Sequence, residues 1–145
     1  MARILGLDPG ERRIGIAVSD PTGTIASPHG FADTRAGDPL EAITVLCGDL
    51  GVDVIVIGLP LRLDGSEGPA AQRSRDLGTA LSDRSGIEVA YHDERFTTVT
   101  AEDALIEGGM RRKQRKTKRD QVAAAVMLQG YLDARAHDGR HGNDS

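Results

Sequence analysis

At 145 residues the chain is sized for one domain, which would bury roughly 70% of the surface its unfolded form exposes. Its 39% hydrophobic content and 18 glycines exclude a mostly disordered chain. The longest apolar runs, Val54 to Leu61 and Val122 to Leu128, fall far short of the ~20 residues a membrane helix needs. The net charge of −4 hides an asymmetry: residues 111 to 119 hold seven of the eighteen basic residues, and the remainder sets eleven basic against twenty-two acidic residues, a net of −11. A cationic segment on an acidic body points to a phosphate-backbone partner, the plainer alternative being a solvated loop between two helices. Cys47 stands alone, excluding an internal disulfide framework and a cysteine zinc cage. An acid as early as Asp8 argues against a signal peptide, so a cytoplasmic location is expected.

In chain order, Arg3 to Leu7 is a short apolar strand, and Ile14, Ile16 and Val18 alternate at period two as a second. Asp8-Pro9-Gly10 and Asp20-Pro21-Thr22-Gly23 are the intervening turns. A third strand spans Thr24 to Ala32, where Pro28 and Gly30 push it toward a sheet edge. After Asp38-Pro39 the period changes: Leu40, Ile43, Leu46, Cys47 and Leu50 share one face of a helix stopped by Gly51. Val52 to Ile57 reads as a buried parallel strand ending at Gly58-Leu59-Pro60. A loop from Leu61 to Gly68 follows, and Ser66 with Pro69 marks a helix start running to about Asp83. Ile87, Val89 and Tyr91 form another strand, Thr98 to Glu107 a helix ended by Gly108-Gly109, and Lys118 to Ala136 a last, largely buried helix. This order predicts an α/β domain over residues 1–136 with a frayed tail at 137–145. Its mixed five-stranded sheet joins a three-stranded antiparallel meander to two parallel strands, with helices on both faces, the order of a ribonuclease H-like domain.

Three acids stand out by context. Asp8 ends a hydrophobic strand, Glu94 follows the strand ending at Tyr91, and Asp120 opens the apolar last helix directly after the basic run. Sites in α/β sheets form beyond the carboxyl ends of strands, where the first two lie. Clustered carboxylates are hard to keep ionised without a cation, so the trio is a candidate Mg²⁺ or Mn²⁺ site for phosphodiester hydrolysis. The plainer alternatives are a turn acid at Asp8, a first-turn acid meeting the helix dipole at Asp120, and a surface acid paired with Arg95 at Glu94.

The stretch Gly6-Leu7-Asp8-Pro9-Gly10-Glu11-Arg12-Arg13-Ile14-Gly15-Ile16-Ala17-Val18-Ser19-Asp20 closely resembles the opening motif of the bacterial YqgF family, Holliday-junction-resolvase-like proteins of pre-16S rRNA processing. So do Gly58-Leu59-Pro60 with Asp64-Gly65-Ser66-Glu67-Gly68, Asp93-Glu94-Arg95-Phe96-Thr97-Thr98, and Arg119-Asp120 followed by Ala123-Ala124. Four motifs in the family's order cover the chain from Arg3 to about Ala134. The resemblance implies an RNase H-like fold and a metal-dependent nuclease acting at the 5′ end of 16S rRNA, with Asp8, Glu94 and Asp120 matching the family's acidic motifs. Related junction resolvases place two acidic ligands a turn apart on the last helix, whereas this chain has Ala123 and Ala124 after Asp120.

The strand beside the first carries no acid at its end; if Glu94 comes from the strand beyond it, its backbone lies roughly 10 Å from that of Asp8, and its side chain must reach inward or metal binding is weak. Gly10 lets backbone approach a phosphate; Arg12 and Arg13 contact phosphate, or Arg13 caps a sheet edge. Arg111, Arg112, Lys113, Arg115, Lys116, Lys118 and Arg119 complete the candidate nucleic-acid contacts. The Gly58 to Gly68 loop is either a mobile lid or an ordinary connection, with Asp64 a poor prospect as an outer ligand. Thr97 and Thr98 suit a helix cap better than phosphate contact, and His92 reads as structural. His137 and His141 lie in a tail unsuited to metal binding. Few aromatics speak against base stacking and favour recognition by shape and phosphate charge. RNA is the expected partner and structured DNA the second, with a monomer or weak homodimer and no membrane. Two other functions fit less well: junction resolution in DNA, which needs a dimer, and a non-catalytic RNA-binding role in ribosome assembly or transcription. An actin-like phosphate-binding domain is disfavoured by length.

Overall fold

The structure is a computed structural model that describes residues 3–35, 37–94 and 122–136. Strands β1 (Ile4–Pro9), β2 (Arg13–Ser19) and β3 (Ala26–Asp33) form the antiparallel meander, followed by helix α1 (Pro39–Leu50), β4 (Val54–Leu59), α2 (Pro69–Ser85) and β5 (Glu88–Asp93). Residues 122–136 form a further helix, α3. The sheet order is β3-β2-β1-β4-β5, with β1 antiparallel to β2 and parallel to β4, and β4 parallel to β5. This is the mixed five-stranded sheet that the sequence predicts, with the proline-bearing β3 at an edge and irregular where Ile16 and Ala17 meet it.

Period-two alternation divides the sheet residues between two cores. Leu5, Leu7, Ile14, Ile16, Ile55 and Ile57 face α1 and α2, meeting Ile43, Cys47 and Leu81. Ile4, Ala17, Val54 and Val56 face α3, meeting Ala124, Met127, Leu128 and Leu132. Every residue of β4 is buried, as a central parallel strand covered on both faces requires. The approach of α3 depends on Gly6, where a Cβ would stand 2.8 Å from Leu128 Cβ. His92 is buried with its ring edge-on to Tyr131 of α3, centroids 6.1 Å apart, in keeping with a structural role.

Local chemistry sets the boundaries. Asp38 caps α1 by accepting from Leu40 N at 3.0 Å, and Gly51 ends the helix in the left-handed conformation at φ 67°. The start of α2 differs from the sequence expectation: its N-cap is Gly68, with Pro69 in the first turn, and Ser66 serves a preceding turn instead. Ser66 donates from N and Oγ to Asp64 Oδ1 at 2.9 and 2.6 Å, and Arg62 N donates to Ser66 O at 2.9 Å. With Leu61 bridged to Glu67, residues 61–67 make a small hairpin rather than an open loop. Glu67 ties it to α2 through a two-pronged pair with Arg75 at 2.6 and 2.9 Å. The expected Thr98 to Glu107 helix, the Gly108-Gly109 stop, the start of the last helix and the 137–145 tail lie outside the described residues.

Candidate active site

Asp8 sits near the end of β1, opposite Gly15 of β2. By alternation it shares the α3-facing side of the sheet with Ile4 and Gly6. Leu7 pairs with Ile57, so the next residue of β4, Gly58, comes up beside Asp8; Gly58 in turn pairs with His92 of β5. Glu94 follows immediately on β5. The carboxyl ends of three parallel strands thus bring Asp8, Gly58 and Glu94 to one edge of one face.

The separation expected from strand spacing is bridged by the side chain. Glu94 folds inward across β4 and hydrogen-bonds Asp8. It lies directly over Gly58: a Cβ there would overlap Glu94 Oε1 and stand 3.1 and 3.2 Å from its Cδ and Cγ. Burial raises the Glu94 carboxyl to about 8, and the hydrogen bond to Asp8 and the negative charges of Asp8 and Asp93 push it the same way. Near neutral pH Glu94 therefore holds a proton, and its O–H donates toward Asp8. Two carboxyl groups that share a proton in this way are hard oxygen donors suited to Mg²⁺ or Mn²⁺. Asp120 lies outside the described residues, and among the described residues no group of three His, Cys, Asp or Glu side chains gathers around one point.

Other candidates fall as follows. The space left by the missing Cβ of Gly10 is taken by Arg13 O, 2.8 Å from where that Cβ would stand, so this glycine serves the β1–β2 turn. Arg13 stacks over Phe31 of the edge strand at 5.0 Å, while Arg12 is exposed and its carbonyl accepts from Thr34 N and Oγ1, both at 2.9 Å. Asp64 Oδ1 is engaged by Ser66 within the 61–67 turn. Arg95, Thr97, Thr98, His137, His141 and the basic residues Arg111, Arg112, Lys113, Arg115, Lys116, Lys118 and Arg119 lie outside the described residues. What sequence reasoning missed is the place of Gly58 beneath Glu94, although Gly58-Leu59-Pro60 stood among the family-like motifs. Its signal was a glycine ending an otherwise apolar run, Val54-Ile55-Val56-Ile57, which read as a strand terminus.

A family model described as Holliday junction resolvase, RuvX, matches residues 2–134. The chain belongs to the RuvX family. Among its RuvX relatives, a protein of Lactococcus lactis subsp. lactis (strain IL1403) is 48% identical over 138 residues, covering 93% of this chain and 96% of the relative. One from Syntrophomonas wolfei is 42% identical over 132 residues, covering 90% and 94%, and one from Acidiphilium cryptum 41% over 133 residues, covering 91% and 84%. All three carry the name "Putative pre-16S rRNA nuclease". Among solved structures, Thermus thermophilus RuvC in complex with a Holliday junction substrate aligns with a TM-score of 0.57 at 14% identity, covering 94% of this chain and 97% of that one. A second Thermus thermophilus RuvC structure aligns with a TM-score of 0.51 at 13% identity. At these identities the likeness establishes the fold: the RuvX chain has the RNase H-like architecture that its element order predicts.

Proposed function

We propose that this RuvX chain is a metal-dependent nuclease that hydrolyses phosphodiester bonds, with precursor 16S rRNA as its substrate and the 5′ end of the mature rRNA as its site of action. The observation that carries the reading is the Asp8–Glu94 carboxyl pair, brought together at the carboxyl edge of the sheet on a fold shared with RuvC, whose structure is known in complex with a Holliday junction substrate. The names of the relatives supply the substrate class.

Asp8 and Glu94 would hold the metal, with Asp120 as a further ligand from the segment after the basic run. When bound, Mg²⁺ or Mn²⁺ supplies an activated water and neutralises charge on the leaving oxygen. To hold a cation, Glu94 would have to be in its deprotonated form, so that both carboxylates would be acceptor-only ligands. The sheet fixes the Asp8 backbone through its own pairing with Gly15 of β2 and that of the preceding Leu7 with Ile57 of β4, which limits drift of the carboxylate. Arg12, Arg13 and the Arg111 to Arg119 segment meet the RNA backbone, giving binding by phosphate charge and shape. Among the described residues no helix is long and apolar enough to cross a membrane. The proposed setting is the cytoplasm, where the chain would meet its RNA as a monomer or weak homodimer.

The test is cleavage of a 5′-extended 16S rRNA precursor, labelled at one end, beside a four-way DNA junction, each in Mg²⁺, Mn²⁺ and EDTA. RNA cleavage that requires metal and is abolished in Asp8→Asn is the expected result. Cleavage of the junction alone would move the substrate to DNA, and RNA binding without cleavage in every condition would replace the enzyme with an assembly factor.

A further inference from the structure

Glycine inside a buried strand gives up packing and weakens the strand, so its presence on β4 calls for a tenant of the space it leaves. The tenants at other close-packed glycines are structural: Leu128 of α3 at Gly6, the Tyr91 ring at Gly78. At Gly58 the three atoms nearest to a built Cβ are Oε1, Cδ and Cγ of Glu94, with no backbone or core side chain among them. Among the described residues it is the carboxylate, not a helix side chain, that comes nearest to this glycine.

We infer that Gly58 is a positioning residue for the acidic pair: the gap in β4 is the passage through which a glutamate borne by β5 reaches an aspartate borne by β1. The neighbouring strand of β1 offers no acid of its own, since β4 ends Gly58-Leu59-Pro60. The second carboxylate is supplied from one strand further out, and the glycine makes up the difference in reach. Two strand spacings are about 10 Å, and a glutamate side chain, which spans about half of that, meets the carboxyl of Asp8 only on a direct path across the sheet. A side chain at position 58 forces the stem upward and away from Asp8. The backbone at this position is otherwise undemanding: Gly58 is not among the glycines with positive φ, and its carbonyl is held by Ser74 Oγ at 2.8 Å, a bond that a methyl side chain leaves alone. Alanine at 58 therefore leaves the strand intact while displacing Glu94.

The consequence for metal binding rests on the nuclease reading, but the contact itself can be tested without metal or substrate. The first measurement is the carboxyl-carbon NMR resonance of Glu94 in EDTA, with and without Asp8→Asn, in the wild-type and Gly58→Ala backgrounds. Asp8→Asn is expected to move the resonance in the wild type and to leave it in place in G58A, because the two groups no longer touch. An equal displacement in both backgrounds overturns the inference. The second measurement is calorimetric titration with Mn²⁺ alone. G58A is expected to weaken binding by about 10- to 100-fold, the range for residues that orient a metal ligand, and G58A/E94Q to bind no more weakly than E94Q. Additive losses in the double variant would assign Gly58 a role separate from Glu94 and overturn the inference.

Should alanine disrupt β4, Glu94→Asp provides the second arm: a stem one methylene shorter cannot complete the crossing, so its Mn²⁺ affinity should fall to that of E94Q. Undiminished affinity in E94D would also overturn the inference. If the wild-type protein binds no Mn²⁺, the nuclease reading falls, and the NMR comparison still decides the role of Gly58.

Discussion

At the scale of single residues the candidate site turns on one hydrogen bond, between Glu94 and Asp8. Because the folded protein holds a proton on Glu94 up to about pH 8 and the unfolded chain releases it in the ordinary carboxylate range, the native state binds more protons across that window. The contribution of this one group to the stability of the metal-free protein is therefore fully present below the ordinary carboxylate value and is lost as pH rises through about 8. Urea denaturation in EDTA from pH 4 to pH 9 measures this slope, and Glu94→Gln, which cannot titrate, should flatten it. The same proton makes metal uptake pH-dependent with the opposite sign: Mn²⁺ affinity rises with pH through about 8, and binding below that pH releases a proton. Calorimetry in two buffers of different ionisation enthalpy reads the proton directly. The acids were legible in the sequence because each sits at a strand end. Their contact was not, because it depends on the absence of a side chain on a strand that lies between them in space but far from Glu94 in sequence.

At the scale of elements, helix α2 is fastened to the edge that carries the site. Ser74 is fully buried and its Oγ donates to Gly58 O at 2.8 Å. Ser74→Ala removes a donor and costs about 1–2 kcal/mol in denaturant unfolding. Gly78 lets the same helix lie against Tyr91, whose Cζ and Cε1 would stand 2.9 and 3.1 Å from an added Cβ. Gly78→Ala forces these elements apart and should destabilise by about 1–3 kcal/mol by the same measurement. Most elements were legible, since β-branched residues alternating at period two and apolar residues at helical spacing have few other solutions. The edge strand came through despite Pro28 because an edge tolerates a missing donor. The start of α2 was misread for a local reason: a serine three residues before a proline fits a helix cap, and only the 61–67 hairpin shows that its hydroxyl belongs to Asp64.

At the scale of the whole molecule, the acidic body repels RNA except where cations gather, so the Arg111 to Arg119 run should carry much of the affinity. Replacing Arg112, Lys113, Arg115 and Lys116 should reduce the salt dependence of RNA binding by about 0.7 in log–log slope for each single-strand phosphate no longer neutralised. An unchanged slope in a filter-binding titration would remove the segment from the interface. The site follows from a short chain of causes: a parallel β4 beside β1 aligns strand ends, a glycine opens the path between them, and two carboxylates meet where one strand alone supplies one. The most direct measurement of whether that pair does the chemistry is single-turnover cleavage of the precursor RNA in Mn²⁺ by wild type, Asp8→Asn, Glu94→Gln and the double variant. Groups that act as one unit predict that each single substitution lowers the rate by at least about 100-fold and that the double variant is no slower than the worse single. Independent, multiplying losses, or a single variant that cleaves at the wild-type rate, would contradict it.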